Sequence, residues 1–388
     1  MTRRGWCPSV FEPMQAADGY LSRVKPAGGV LDARAAHLLA VAARRYGNGV
    51  IELSNRANLQ FRGLSEAATR DFADVVVAAG LASADASVER RRNVLVSPLA
   101  GVDASVDPGT SALSAAMTAM LAEPALAALP GKFGLVVDGG GLLPVGEALG
   151  DIRIRLCGDT ALIALDGSDR AAACPIAASV DATRRLILAF LAQSARRMRD
   201  LDARAVFAAA GLLANQTLPP VSRATTVGRI GTIAFGFGLP FGQIDSATLV
   251  ALAALAQSEG DGTLRLTPWR ALLLPGVAAG EIAGLITDPA DPLLRFDACP
   301  GQPSCAQASV ATRADAALLA RSGIPDHLVV HVSGCAKGCA RPEPRAITLV
   351  GANGRYDLVR NGRADAKPER LALSIGEITA ILAAERQE

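Results

Sequence analysis

The chain has 388 residues, half of them apolar and few of them aromatic, with a formal net charge of +2. That length accommodates several domains around a large core, and the near-neutral charge argues against a nucleic-acid or anionic-membrane ligand. No apolar run approaches the ~18 residues of a membrane span, and the opening MTRRGWCPSVFEP lacks the apolar stretch of a signal peptide, so a cytoplasmic protein is expected. Disulfides are rare in that compartment, and clustered cysteines there lean towards metal or redox chemistry.

In chain order, the first strong pattern is GGVLDARAAHLLAVAARRYGNGVIELSNRANLQFRGL, residues 28–64. It aligns without a gap on FGQIDSATLVALAALAQSEGDGTLRLTPWRALLLPGV, residues 241–277. Gly29 falls on Gly242, Asp32 on Asp245, Leu39 on Leu252, Gly47 on Gly260, Gly49 on Gly262, Leu53 on Leu266 and Gly63 on Gly276. Each copy predicts an Asp-capped amphipathic helix, a Gly-x-Gly stop and an extended segment closing at glycine. Two such distant copies predict an α+β protein with pseudo-two-fold symmetry, each repeat followed by its own unique region.

In the first copy, Arg56, Asn58, Gln60 and Arg62 alternate with Ala57, Leu59 and Phe61. Read as a strand, this places four polar side chains on one face, where the arginines suit planar carboxylates. The plainer alternative is a solvent-exposed edge strand. The matching face of the second copy is Trp269, Ala271, Leu273 and Pro275, which is apolar.

Seven cysteines are present. Cys7, Cys157 and Cys174 read as buried or incidental thiols. The other four form two pairs, Cys299 and Cys305 in CPGQPSC and Cys335 and Cys339 in SGCAKGC. The segment 327–332 (HLVVHV) predicts a buried strand delivering the second pair into a Gly-rich turn. C-x5-C is wide for zinc, and small residues between the thiols leave room for an iron–sulfur cluster, with zinc as the alternative. His37, His327 and His331 read as surface or satisfied core positions. The end, KPERLALSIGEITAILAAERQE, predicts a packing helix.

Several of these motifs, in this order, resemble the sulfite and nitrite reductase superfamily: SNRANLQFRG, ERRRNVLVSPLAG (89–101), LPGKF (129–133), and C-x5-C … C-x3-C followed by Ala-Arg-Pro. The resemblance implies two ferredoxin-like half-domain repeats plus two α/β catalytic regions. The expected boundaries are 1–80, 81–220, 221–286 and 287–388, with the last binding the cluster. It implies a [4Fe–4S] cluster on Cys299, Cys305, Cys335 and Cys339. It also implies tetrapyrrole-carboxylate binding by Lys25, Arg56, Gln60, Arg62, Arg92 and Lys132.

The chain departs from the reductases in RVKPAGG (23–29), which stands for their R-x-R-x-P-G-G, at Gly131 and Gly134, which replace two pocket cations, and where Lys337 precedes the Gly-Cys of the last motif. These departures resemble the cobalamin-pathway branch, the precorrin-3B synthases. That branch implies O2-dependent C20 hydroxylation and γ-lactone formation on precorrin-3A. It further implies a mononuclear non-haem iron, whose ligands the sequence does not reveal, and NADH-derived electrons from an external donor protein or reductase. The alternative within the superfamily is a sirohaem-dependent sulfite or nitrite reductase. A third reading, a non-catalytic electron-transfer protein, leaves the Arg/Gln face unexplained.

Overall fold

The computed structural model describes residues 8–385. The opening stretch with Cys7 lies outside the described residues. The two repeats run through the same elements in the same order. Helices Ala33–Tyr46 and Ser246–Glu259 start at Asp32 and Asp245, whose carboxylates accept from Ala35 N at 2.6 Å and Thr248 N at 2.7 Å. A side-chain oxygen there satisfies one of the N–H groups a helix start leaves unpaired. The turns that follow need left-handed backbone at equivalent places, Gly49 (φ +81°) and Gly262 (φ +79°), then Ala57 (φ +53°) and Arg270 (φ +57°).

The repeats exchange strands. One sheet runs Met14–Ala16, Gly19–Val24, Leu59–Leu64, Val50–Leu53, and then Gln243–Asp245 from the other copy. The second runs Gly228–Ile230, Ala234–Gly238, Ala271–Pro275, Thr263–Leu266, and then Val30–Asp32 from the first copy. The two repeat helices pack on each other, and one apolar core runs through both halves, including Leu39, Phe61 and Phe72 with Phe237, Leu252 and Leu264. The half-domains therefore share a core, because each lends the other an edge strand.

The regions after the repeats are not unique, as the sequence had suggested; they share one element order. The first has parallel strands Val94–Val96, Leu135–Asp138 and Ile152–Cys157, then antiparallel Thr160–Leu165 and Arg170–Pro175. The second has parallel Phe296–Ala298, Val330–Ser333 and Arg345–Ala352, then antiparallel Arg355–Gly362 and Arg370–Leu373. A crossover helix, Thr110–Leu121 or Thr312–Ala320, joins strands one and two, and a helix, Ile176–Leu191 or Ile375–Ala383, follows strand five; the first sheet then adds a sixth strand, Gln216–Thr217, beside Arg170–Pro175. The pseudo-two-fold thus covers the whole molecule.

Three local expectations change. Residues 54–58 form a turn closed by Ser54 N to Asn58 O at 2.9 Å, so the strand starts at Leu59 and Arg56 lies outside it. The strand predicted over 327–332 is Val330–Ser333, with His327 exposed in the preceding turn. The terminal segment is not all helix. Arg370–Leu373 pairs as a strand with Arg355–Gly362, and the helix begins only at Ile375, where Ser374 and Glu377 form a reciprocal capping box. No helix among the described residues is long and apolar enough to cross a membrane.

Candidate functional site

Two adjacent parallel strands, Phe296–Ala298 and Val330–Ser333, end side by side, with Ala298 opposite Val332. Neighbouring strands lie about 4.8 Å apart, so the loops leaving their carboxyl ends must meet. Those loops carry the cysteines. Gly334 N donates to Cys299 Sγ at 3.1 Å, and Thr312 Oγ1 donates to the Cys299 carbonyl at 2.6 Å. A Cβ on Gly334 would sit 2.6 Å from Ala308 Cβ, so that close approach requires glycine. Cys299 is buried, Cys305 and Cys335 half-buried, and Cys339 exposed. Burial, and then the charges of Cys299, Cys335 and Cys305, push the Cys339 thiol up, so the four sulfurs are electrostatic neighbours. Among the described residues no three His, Cys, Asp or Glu side chains gather tightly enough to hold a single metal ion. One tetrahedral zinc would require sulfurs about 3.8 Å apart. A cluster distributes its four cysteines over different irons, and the small residues and backbone N–H at Cys299 suit it.

Beneath these loops lies a charge hub absent from the expected site. Asp297 is buried and pairs with Arg270 at 2.8 Å, Arg341 at 3.1 Å and Arg345 at 3.0 Å. Burial alone would raise its pKa, but the three guanidiniums outweigh it and hold the carboxyl below its usual range. His331 lies opposite Asp297 across the strands, fully buried, with no hydrogen-bond partner at either ring nitrogen. Desolvation, reinforced by Arg341 and Arg345 against the opposing Asp297, lowers its pKa to about 4. His331 is therefore core but not satisfied, contrary to expectation. His37 and His327 are exposed.

The expected tetrapyrrole-facing residues divide into two groups. Arg56 Nη1 donates to the Lys132 carbonyl at 3.0 Å, and Arg56 and Asn58 line a small crevice with Asn93, Gly134 and Leu149. Asn93 ties that crevice together by donating to the carbonyls of Gly131 and Phe133 at 3.1 and 3.0 Å. The three motifs around Arg56, Asn93 and Lys132 therefore meet in space. The other group turns inward. Lys25, 4 % exposed, donates to the Glu89 carbonyl at 2.7 Å, and Arg92 pairs with Glu89 at 3.0 Å. Arg62 is bound to Asp18 and Glu52, and Gln60 donates to Glu52 at 3.2 Å. Internal carboxylates and carbonyls hold the tips of Lys25, Arg62 and Arg92 in this structure. Sequence reading missed Asp18, Glu52, Asp297 and Arg313, which carry no spacing signature. Only the Arg341 of the Ala-Arg-Pro motif signalled the hub.

In the second repeat the corresponding face is closed. Trp269 lies under Arg223, whose guanidinium is 4.2 Å from the ring centroid, and Ala271 and Leu273 pack with Leu99, Leu143 and Ile230. One pseudo-symmetric face is polar and the other is filled with side chains. Cys157 is exposed rather than buried, and burial raises the half-buried Cys174 thiol.

Residues 12–78 and 229–291 match the nitrite/sulfite reductase ferredoxin-like half-domain family. The Mycobacterium tuberculosis NirA structure superposes with a TM-score of 0.71 over 95 % of this chain and 82 % of that one, at 19 % identity, which shows the shared fold. A ferredoxin–nitrite reductase of Synechococcus elongatus is 25 % identical, covering 87 % of this chain and 77 % of its own. A precorrin-3B synthase of Sinorhizobium sp is 33 % identical, covering 94 % of this chain and 84 % of its own. The paired half-domains thus define a protein of the nitrite/sulfite reductase class. Within that class the chain belongs to the precorrin-3B synthase family and is an oxidoreductase.

Proposed function

We propose that the chain is an oxygen-dependent precorrin-3B synthase of cobalamin biosynthesis, acting on precorrin-3A with a [4Fe–4S] cluster on Cys299, Cys305, Cys335 and Cys339. The single observation that carries this reading is the match to a precorrin-3B synthase along nearly the whole chain. The convergence of the four thiols at adjacent strand ends supports the cluster. In the proposed reaction one oxygen atom of O2 becomes the C20 hydroxyl and the other leaves as water. Two electrons and two protons come from outside, and the ring-A acetate closes onto C1 as the lactone. When bound, the cluster supplies electrons singly from an NADH-derived donor, delivered by a partner protein or reductase.

This chain's own residues would bind and orient. The Arg56 turn and Lys132 offer cationic donors to a substrate rich in carboxylates, and holding several carboxylates fixes the flexible ring system for attack at one carbon. Lys25, Gln60 and Arg92 brace this wall from behind. Glycine at 131 and 134 leaves fewer cations for a small oxyanion than a reductase needs, and lysine at 337 is a separate departure from the reductase pattern. The domain boundaries at 80, 220 and 286 belong to this reading as well, as do any mononuclear non-haem iron and its ligands. The test is incubation of anaerobically purified protein with precorrin-3A, a reducing system and labelled O2. The reading expects a product one labelled oxygen heavier that carries a lactone. Sulfite or nitrite reduction with no change in precorrin-3A would support the sirohaem reductase instead.

A further inference from the structure

Arg62 stands where three parts of the chain meet. Its Nε and Nη2 donate to the two oxygens of Asp18 at 2.9 and 2.8 Å, a fork geometry that fixes the guanidinium plane. Asp18 lies in the turn between strands Met14–Ala16 and Gly19–Val24. Nη1 donates to Glu52 at 3.3 Å, and Nη2 also donates to the backbone carbonyl of Ser304 at 3.0 Å. Ser304 is the residue before Cys305. The Arg62 side chain is 5 % exposed, so water cannot easily replace these bonds. Burial alone would lower its pKa, but the Asp18 bond and the charges of Glu52 and Asp18 hold it above the ordinary value.

The same frame holds the far end of the loop. Glu52 accepts from Arg313 Nη2 at 2.7 Å, and Arg313 also bonds Gln243. Arg313 is in the first turn of the helix that follows the cysteine loop, and Gln243 begins the exchanged edge strand. The loop's own backbone bonds, Cys305 N to Gly301 O at 2.8 Å and Gln302 N to Val310 O at 2.9 Å, stay within the C-terminal region. The Arg62 bond reaches across to the first repeat.

We propose that Arg62 is a positioning residue for the metal centre: through the Ser304 carbonyl it sets Cys305, and it does not clamp substrate. Four of its five N–H groups are committed to Asp18, Glu52 and Ser304, which leaves no fork for a ligand carboxylate. The inference rests on the cluster reading above.

The test compares wild type, Arg62→Gln, Arg62→Lys and Asp18→Asn as full-length protein purified without oxygen. The readouts are iron and sulfide per chain, the electron paramagnetic resonance of the reduced protein, the rate at which a chelator removes iron, and the anaerobic Kd for precorrin-3A. Both Arg62 variants should release iron about tenfold faster with an altered resonance, while the Kd stays within about twofold, because a lost support of a ligand acts on metal retention. Asp18→Asn should fall between them and wild type. Unchanged iron release and resonance in the Arg62 variants would overturn the proposal. So would a Kd weakened about tenfold with the cluster signal intact, which would make Arg62 a substrate clamp. If the Arg62 variants do not accumulate as folded protein, Asp18→Asn decides, and wild-type iron release there rejects the role. A wild type that holds no iron or sulfide removes the cluster reading itself, and this inference with it.

Discussion

Cys335 and His331 lie four positions apart on the same strand–turn segment and illustrate two kinds of burial. Cys335 opens the Gly-rich turn, half-buried beside the other three thiols. Cys335→Ser is expected to lose the cluster, since a hydroxyl is a poor substitute for a thiolate ligand; iron and sulfide counts at the wild-type level would refute that role. His331 is buried with both nitrogens unpaired and a pKa lowered from 6.5 to about 4. A folded pKa below the unfolded one means the unfolded chain binds the proton more readily. The neutral histidine's contribution is therefore intact above pH 6.5 and is lost as pH falls towards 4, amounting to ~3 kcal/mol in full. Asp297, Arg341 and Arg345 face it, and Asp297 loses stability on acidification as well. His331→Leu isolates the histidine: denaturant titrations at pH 7 and pH 4.5 should show a smaller acid loss in the variant than in wild type. Equal losses would show that the ring is solvated. At this scale the sequence revealed the cysteines, because paired thiols in small-residue loops are rare. It did not reveal Asp18 or Glu52 as the partners of Arg62, because carboxylates far apart in the chain carry no pattern until folding brings them together.

At the level of elements, the repeat was readable because its constraints are backbone constraints. Gly47 and Gly260 end their helices with the same extended backbone, and in each copy a Cβ would strike the carbonyl of a strand residue, Arg62 in the first and Pro275 in the second. At Gly260 that contact would be 2.6 Å, and the obstructing atom is backbone, which cannot step aside cheaply. Gly260→Ala and Gly47→Ala should each destabilise by about 1–3 kcal/mol, as overpacked sites do. Equilibrium denaturation checks this, and a loss under about 0.5 kcal/mol, the range of a neutral surface change, would mean that the turn relaxes. Gly47→Ala should also disturb the Arg62 strand and hence iron retention, whereas Gly260→Ala should not. The strand exchange was not readable, because an edge strand of three residues pairs equally well with either sheet until both repeats are folded. The alternation over residues 56–62 misled for a related reason. Positive φ at Ala57 breaks the strand and places Arg56 in a turn, against the crevice with Asn93 and Gly134.

Across the whole molecule, the pseudo-two-fold makes two halves with one plan and unequal chemistry. The loops after the first two parallel strands carry four cysteines in the C-terminal region. In the first region the same two loops are held by carboxylates. Asp138 accepts from Ser97 Oγ at 3.2 Å and from Gly140 N at 3.0 Å and pairs with Arg155, while Asp103 accepts from Leu142 N at 2.8 Å. Packing therefore needs only small residues and a polar anchor at those loops, and the cysteines exceed what the fold requires. The repeat faces diverge in the same way, polar around Gln60 and Arg62 and plugged by Trp269 and Leu273. The α+β class and the paired repeats were legible because they are written in local patterns. The shared plan of the two α/β regions was not, because it survives in element order alone.

In the proposed function the four thiols hold a cluster, and a tetrapyrrole is the substrate and not a cofactor. The most direct test is the visible absorption spectrum of the full chain, purified without oxygen from cells able to make sirohaem, with iron and sulfide counted. A broad iron–sulfur absorption, about four irons and four sulfides per chain, and no Soret band are expected. A strong Soret band with extractable sirohaem would contradict the proposed function and make the chain a reductase.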